Sequence, residues 1–168
     1  MACTQNSKKL CGNMTCGVCA PRSFANHPKA KYWSSKNIDE PEYVMKHSNK
    51  KYKFDCEYCN HEIELIINHI TSGSWCAYCN KHSLCEIENC LFCFQKSFAS
   101  HAMATQWSSK NTFTPRQVTR SSEKKCWFDC STCNHSFQTI LFSINKDKYC
   151  PYCTSQALCE SDDCKVCF

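Results

Sequence analysis

The sequence predicts a small α+β protein built of tandem units, each a short β-hairpin with short helices. Bound metal, in place of a sizeable hydrophobic core, holds each unit. Three observations lead there. Cysteine fills 19 of 168 positions, a density typical of chains whose cores are too small to hold them together alone. The cysteines recur at a fixed shift along the chain. Most of them fall in the two-residue knuckles that metal sites use.

The shift is 74 residues. It carries Cys11, Cys16 and Cys19 onto Cys85, Cys90 and Cys93, and Cys56, Cys59, Cys76 and Cys79 onto Cys130, Cys133, Cys150 and Cys153. Residues 11–84 align on 85–158 without a gap, at 30 identities in 74 positions. A second step takes Cys85 to Cys159, so LCESDDCKVC, beginning at Leu158, opens a third copy. The organisation this predicts is a tail at 1–10, a repeat at 11–84, a second at 85–158, and a partial third at 159–168 that closes the second.

Duplication within one chain is an internal control. Every cysteine of the unit is kept in both copies, whereas Cys3 and Cys126 have no counterpart and read as incidental. His47, His69 and His82 become Ser121, Ser143 and Gln156, which argues against them as general ligands.

An odd number of thiols fits complete disulfide pairing poorly. The opening MACTQNSKKL holds no apolar stretch that would serve as a signal peptide, and no segment approaches the roughly 20 apolar residues of a membrane span. Reduced cysteines in an intracellular compartment are therefore expected, and reduced CxxC pairs read first as zinc sites. The formal net charge is +5. A zinc ion on four thiolates contributes −2, and one on three thiolates and a neutral histidine −1, so two of each bring the total to about −1. Overall basicity is thus no argument for a nucleic-acid partner, and only local patches count.

The strongest pattern is Cys56-x2-Cys59-x16-Cys76-x2-Cys79 with its copy Cys130, Cys133, Cys150 and Cys153. Each knuckle aims two sulfurs at one centre, and two knuckles complete a tetrahedron that leaves no open position, as structural zinc requires. The triplets Cys11, Cys16, Cys19 and Cys85, Cys90, Cys93 need a fourth donor. His27 and His101, eight residues beyond the last cysteine in each copy, are the candidates. A short helix over 97–107, N-capped by Ser97 (and its equivalent from Ser23), would turn the imidazole back toward the metal.

The third triplet, Cys159, Cys164 and Cys167, meets no later histidine. Another part of the chain, a second subunit, a water or the terminal carboxylate remains open as its fourth partner, as does a metal-free state. Four zinc ions are expected, with a fifth if that triplet is completed. His61 and His135, in CNH, read as hydrogen-bonding partners of a ligand sulfur or a nearby carbonyl.

KKYKFDC (50–56) and KKCWFDC (124–130) read as strands entering a knuckle, and EIELIINHI (62–70) and SFQTILFSI (136–144) as strands returning from it. TSGS (71–74) and NKDK (145–148) read as turns. Trp33 and Trp107 read as anchors of a miniature core. The basic positions kept in both copies are Lys36 and Lys110, Lys50 and Lys124, Lys51 and Lys125, placed to grip phosphate twice over. Nothing in the chain suggests catalysis. There are three glycines and no GxxxxGK loop, no recurring acidic pair beyond the isolated Asp55 and Asp129, and no His-x-Glu frame ahead of a PCxxC.

The ordered run W-S-S-K-N, P, K-K-x-x-F-D-C-x-x-C-N-H and C-x-Y-C, with CFQKSFASH at 93–101, resembles the tandem zinc-ribbon or treble-clef repeats encoded by giant DNA viruses and their relatives. The resemblance covers almost the whole chain, twice. It implies zinc-stabilised treble-clef-like units and a viral setting, in host cytoplasm, nucleus or virion. Because similar units lie beside nuclease domains, it also implies DNA or RNA as the partner. No nuclease-sized segment remains outside the repeats, so the expectation is a non-enzymatic binding module with no membrane and no small-molecule substrate. A structural virion or adaptor protein is the alternative, and an unrecognised nuclease a second.

Overall fold

A computed structural model describes residues 3–4, 8–80, 83–144, 150–161 and 163–167; the expected turn at 145–148 and His82 lie outside these. The chain divides into two compact units, Met1–Asn80 and Lys81–Phe168. The division falls four residues ahead of the expected start of the second repeat at Cys85.

Each unit is organised by one antiparallel hairpin. In the first, β1 (Lys51–Asp55) pairs with β2 (Glu62–Ile66), with Phe54 opposite Ile63. In the second, β3 (Lys125–Asp129) pairs with β4 (Ser136–Ile140), with Phe128 opposite Phe137. Alternation puts Tyr52 and Phe54 of β1, and Cys126 and Phe128 of β3, on the buried face.

The returning strands are shorter than the apolar runs suggested. Beyond Ile66 the chain winds into α1 (Ile67–Thr71), where Ile67 and Ile70 both reach the interior. Their spacing of three suits a helical turn and not a pleat. The Gly73 N–H closes that turn on the Ile70 carbonyl (3.0 Å), at a φ of 96° that favours glycine. In the second unit a single 3-10 turn, Leu141–Ser143, takes the same place.

The helix expected over 97–107 is instead two 3-10 turns, Phe98–Ser100 and Ala102–Gln106, and the first unit matches with Phe24–Asn26 and Pro28–Tyr32. His101 and His27 between the turns are extended (φ −86° and −84°), which breaks the helix. The α-helix of this region comes earlier, as α2 (Leu91–Lys96), and runs through the second triplet.

Aromatic rings make each small core. Phe24 and Phe54 are fully buried and meet edge to face at 5.7 Å, with Trp33 perpendicular to Phe54 at 5.4 Å. Phe98, Phe128 and Trp107 repeat this arrangement at 5.6 and 5.4 Å. The indole N–H groups of Trp33 and Trp107 donate to the carbonyls of Asp39 and Phe113, so both tryptophans are committed to the fold.

Candidate metal centres

The two knuckles of each unit meet beneath the hairpin. In the first unit, Cys56 Sγ lies 3.5 Å from Cys79 Sγ, and Cys59 Sγ 3.5 Å from Cys76 Sγ. In the second, Cys130 and Cys153 are 3.6 Å apart, and Cys133 and Cys150 3.5 Å. All four donor atoms of each set lie within 4.8 Å of one another. Four sulfurs at 2.3 Å from a tetrahedral ion would be spaced about 3.8 Å apart, so these sets fit zinc closely. They are far too open for a disulfide, whose sulfurs sit about 2.05 Å apart.

The backbone explains why a two-residue gap works. Burial pushes the Cys130 thiol up, but the backbone N–H groups of Cys133 and Thr132 outweigh it and bring its pKa to about 6. A knuckle thus stabilises its own thiolate. The residue after the knuckle, Asn60 or Asn134, adopts a left-handed conformation (φ 54° and 58°), which asparagine tolerates better than most residues. Its N–H bonds to the first cysteine's carbonyl, and that cysteine's N–H bonds to the carbonyl of His61 or His135. The chain so turned enters β2 or β4 directly after the histidine.

This turn brings His135 beside the third triplet. Its Nε2 lies 3.4 Å from Cys164 Sγ and 3.9 Å from Cys167 Sγ, and Cys159 completes the group. The ring stacks on Tyr152 at 4.3 Å. His61 stacks on Tyr78 in the same way, at 4.2 Å. The tyrosine of each CxYC knuckle orients the histidine of the same unit. Of the fourth partners left open for the third triplet, the one the fold places beside it is a residue upstream in the chain.

In the first unit the group is Cys3, Cys11, Cys16 and Cys19. Cys3, which looked incidental, stands where the fourth donor was sought. The Cys16 thiol is held down to about 7 by the backbone N–H groups of Cys19 and Val18, while hydrogen bonding to Cys19, Cys11 and Cys16 pushes Cys3 up to about 12. Four sulfurs within 4.8 Å of one another form a donor set that suits a divalent ion. Cys126 differs: it is a fully buried core residue of β3, at the place of Tyr52.

The expectation for His27 and His101 is not met. Each is an N-cap: His27 Nδ1 accepts from the Lys29 N–H (3.2 Å), and His101 Nδ1 from the Met103 N–H (3.1 Å). Their rings stack on Phe24 and Phe98. Burial, with Lys29 nearby, holds His27 below the usual imidazole value, which keeps it neutral as a capping acceptor must be. Without a continuous helix from Ser23 or Ser97, nothing turns these rings back to the triplets. Cys85, Cys90 and Cys93 nonetheless form their own knuckle, with the Cys85 N–H 3.3 Å from Cys93 Sγ, as Cys159 does with Cys167 at 3.4 Å.

Of the candidate lysines, Lys36 pairs with Glu62 (2.6 Å) and Lys51 with Glu64 (3.8 Å). In the second unit those carboxylates are replaced by Ser136 and Gln138. There Lys110 Nζ lies over the Trp127 ring (5.0 Å) and Lys124 Nζ over Phe113 (5.1 Å).

Short hairpins and turns gathered around cysteine and histidine clusters define a zinc-binding module. The chain belongs to the family described as the probable treble clef zinc finger domain, which matches residues 30–82 and 103–156. It is also similar to an uncharacterized protein of Acanthamoeba polyphaga mimivirus, at 34% identity over 96% of this chain. The chain spans 41% of that relative's length. Among the described residues, no helix is long and apolar enough to cross a membrane.

Proposed function

We propose that this chain is a non-enzymatic nucleic-acid-binding module in a viral setting, working in a reducing compartment where its thiolates hold up to five zinc ions. The metal fixes the scaffold, and basic side chains contact phosphate. One observation carries the reading: after divergence to 30 identities in 74 positions, lysine still stands at the same three places in both repeats. The second unit supports it further. Its Lys110 and Lys124 lie over aromatic rings, and no carboxylate replaces Glu62 or Glu64 on its hairpin. Cations beside aromatic faces suit a single-stranded backbone as well as a duplex.

Retention of zinc-loaded protein on immobilised single- and double-stranded DNA and RNA tests this, read as a function of salt. Binding should weaken steeply as salt rises, because phosphate contacts release counterions. A flat salt response, or no retention, favours the adaptor or virion role instead. Incubation with DNA and RNA in Mg²⁺ should leave both intact.

A further inference from the structure

The lysines kept by identity are not the only basic positions kept by the duplication. Arg22 and Lys46 of the first repeat become Lys96 and Arg120 of the second: the charge stays while arginine and lysine change places. A search for identical residues passes over both pairs. The fold shows why they belong together. The Lys46 N–H donates to the Arg22 carbonyl (3.0 Å), and the Arg120 N–H to the Lys96 carbonyl (3.2 Å). Bridges between Ser23 and Met45, and between Ser97 and Thr119, lie beside them. Each unit therefore fixes two cations side by side on rigid backbone.

The same spot is concave in both units. In the first, a cleft of about 480 Å³ is lined by Arg22, Lys46, Lys8 and Lys50, with His47 and the exposed ring of Tyr43 among its walls. Asp39 is the one carboxylate there, and it accepts a hydrogen bond from Tyr52 (2.7 Å). In the second, a cleft of about 250 Å³ is lined by Lys96, Arg120, Thr119, Ser121 and Gln95, with no carboxylate. The 74-residue shift superposes four of these five on lining residues of the first cleft.

We infer that this cleft is the phosphate-binding site of each unit, and that the ligand is a polynucleotide backbone. The inference rests on the nucleic-acid reading above and moves its centre. An arginine and a lysine converging on a concave surface suit a phosphodiester, where the guanidinium supplies paired donors and the ammonium a point charge. Two equivalent clefts in one chain suit a polymer that repeats its phosphate. In the first unit Lys36 and Lys51 face the carboxylates of Glu62 and Glu64, whereas the one carboxylate lining the cleft, Asp39, is taken up by Tyr52.

The test is fluorescence anisotropy with a labelled single-stranded DNA and its RNA equivalent, on full-length zinc-loaded protein. The cleft variant carries R22Q, K46Q, K96Q and R120Q. The kept-lysine variant carries K36Q, K51Q and K125Q. An exchange variant carries R22K, K46R, K96R and R120K. Native mass spectrometry confirms that each keeps the wild-type metal count; the single-unit pairs R22Q/K46Q and K96Q/R120Q replace the quadruple if it does not. The cleft variant should bind at least tenfold more weakly with a shallower salt slope. The kept-lysine variant should weaken binding less than the cleft variant does, and the exchange variant should match wild type. Wild-type binding with an undiminished cleft variant overturns the cleft while leaving the nucleic-acid reading intact. No binding by wild type overturns both.

Discussion

Asn37 and Lys53 hold each other as two strands would. The Lys53 N–H donates to Asn37 Oδ1 (2.9 Å), and Asn37 Nδ2 donates to the Lys53 carbonyl (2.8 Å). Asn111 makes the same pair of bonds to Trp127 in the second unit, at 2.9 and 2.7 Å. The final residue of each WSSKN motif thus satisfies the outer edge of β1 or β3, where an unpaired backbone would otherwise invite another chain. Asn37→Ala and Asn111→Ala should each cost about 1–3 kcal/mol, because the Lys53 or Trp127 N–H loses its partner, while the carbonyl keeps the Ser34 or Ser108 N–H (3.1 Å). Thermal unfolding checks this, with metal content unchanged in both variants.

The asparagine of CNH carries a conformational demand instead. Asn60 and Asn134 sit at positive φ between the last knuckle cysteine and the histidine. Asn60→Gly should be tolerated, since glycine adopts this region freely. Asn60→Val should destabilise by at least about 1–2 kcal/mol, because a β-branched residue is strained there. Comparing melting temperatures of the two variants separates a backbone requirement from a side-chain one.

His135 and His101 should respond oppositely to removal. His135 Nε2 faces two sulfurs, so His135→Ala should lower the zinc count by one in native mass spectrometry. His101 caps a 3-10 turn, so His101→Ala should leave the count unchanged and cost about 0.5–2 kcal/mol. Loss of an ion from the His101 variant, with none lost from the His135 variant, would reverse these roles.

What could be read from sequence was whatever depends on local spacing. Cys56, Cys59, Cys76 and Cys79 meet because each knuckle is a short-range turn, and the hairpin between them follows from KYKFD and EIELI. Pairings across long loops were not legible. His135 reaches Cys164, 29 residues on, only because Asn134 is left-handed and Tyr152 supports the ring, and neither fact shows in a motif. His101 misled because its spacing from Cys93 was regular in both copies. That regularity belongs to a cap shared by both folds. Identity between repeats marked structural positions well, but it concealed Arg22 and Lys46, where charge is kept and residue type is not.

Cys3 and Cys126 both lack a counterpart at the 74-residue shift, yet they should behave differently. Cys3→Ser removes a donor from the group with Cys11, Cys16 and Cys19, so it should lower zinc occupancy by up to one ion while the hairpins stay folded. Cys126→Ser buries a hydroxyl in the core of β3 and should cost about 1–3 kcal/mol with metal content intact. Metal stoichiometry and thermal unfolding, measured on both, distinguish the two roles.

Removing metal should dismantle each unit. Among the described residues, the buried apolar cluster around Phe128 holds ten, two of them the knuckle cysteines Cys130 and Cys150, so the core and the metal centre are one structure. Structural zinc sites contribute on the order of 10–16 kcal/mol in model peptides, as much as the whole stability of an ordinary domain, about 5–15 kcal/mol. Without the ion, four thiols remain packed at 3.5–3.6 Å spacings with nothing to balance them as they ionise. A chelator under reducing conditions should therefore abolish both the near-ultraviolet circular dichroism of Trp33 and Trp107 and the cooperative melting transition. Adding zinc back should restore them. A chelated, fully reduced sample that kept both signals would show that the aromatic clusters around Phe54 and Phe128 hold the fold without metal.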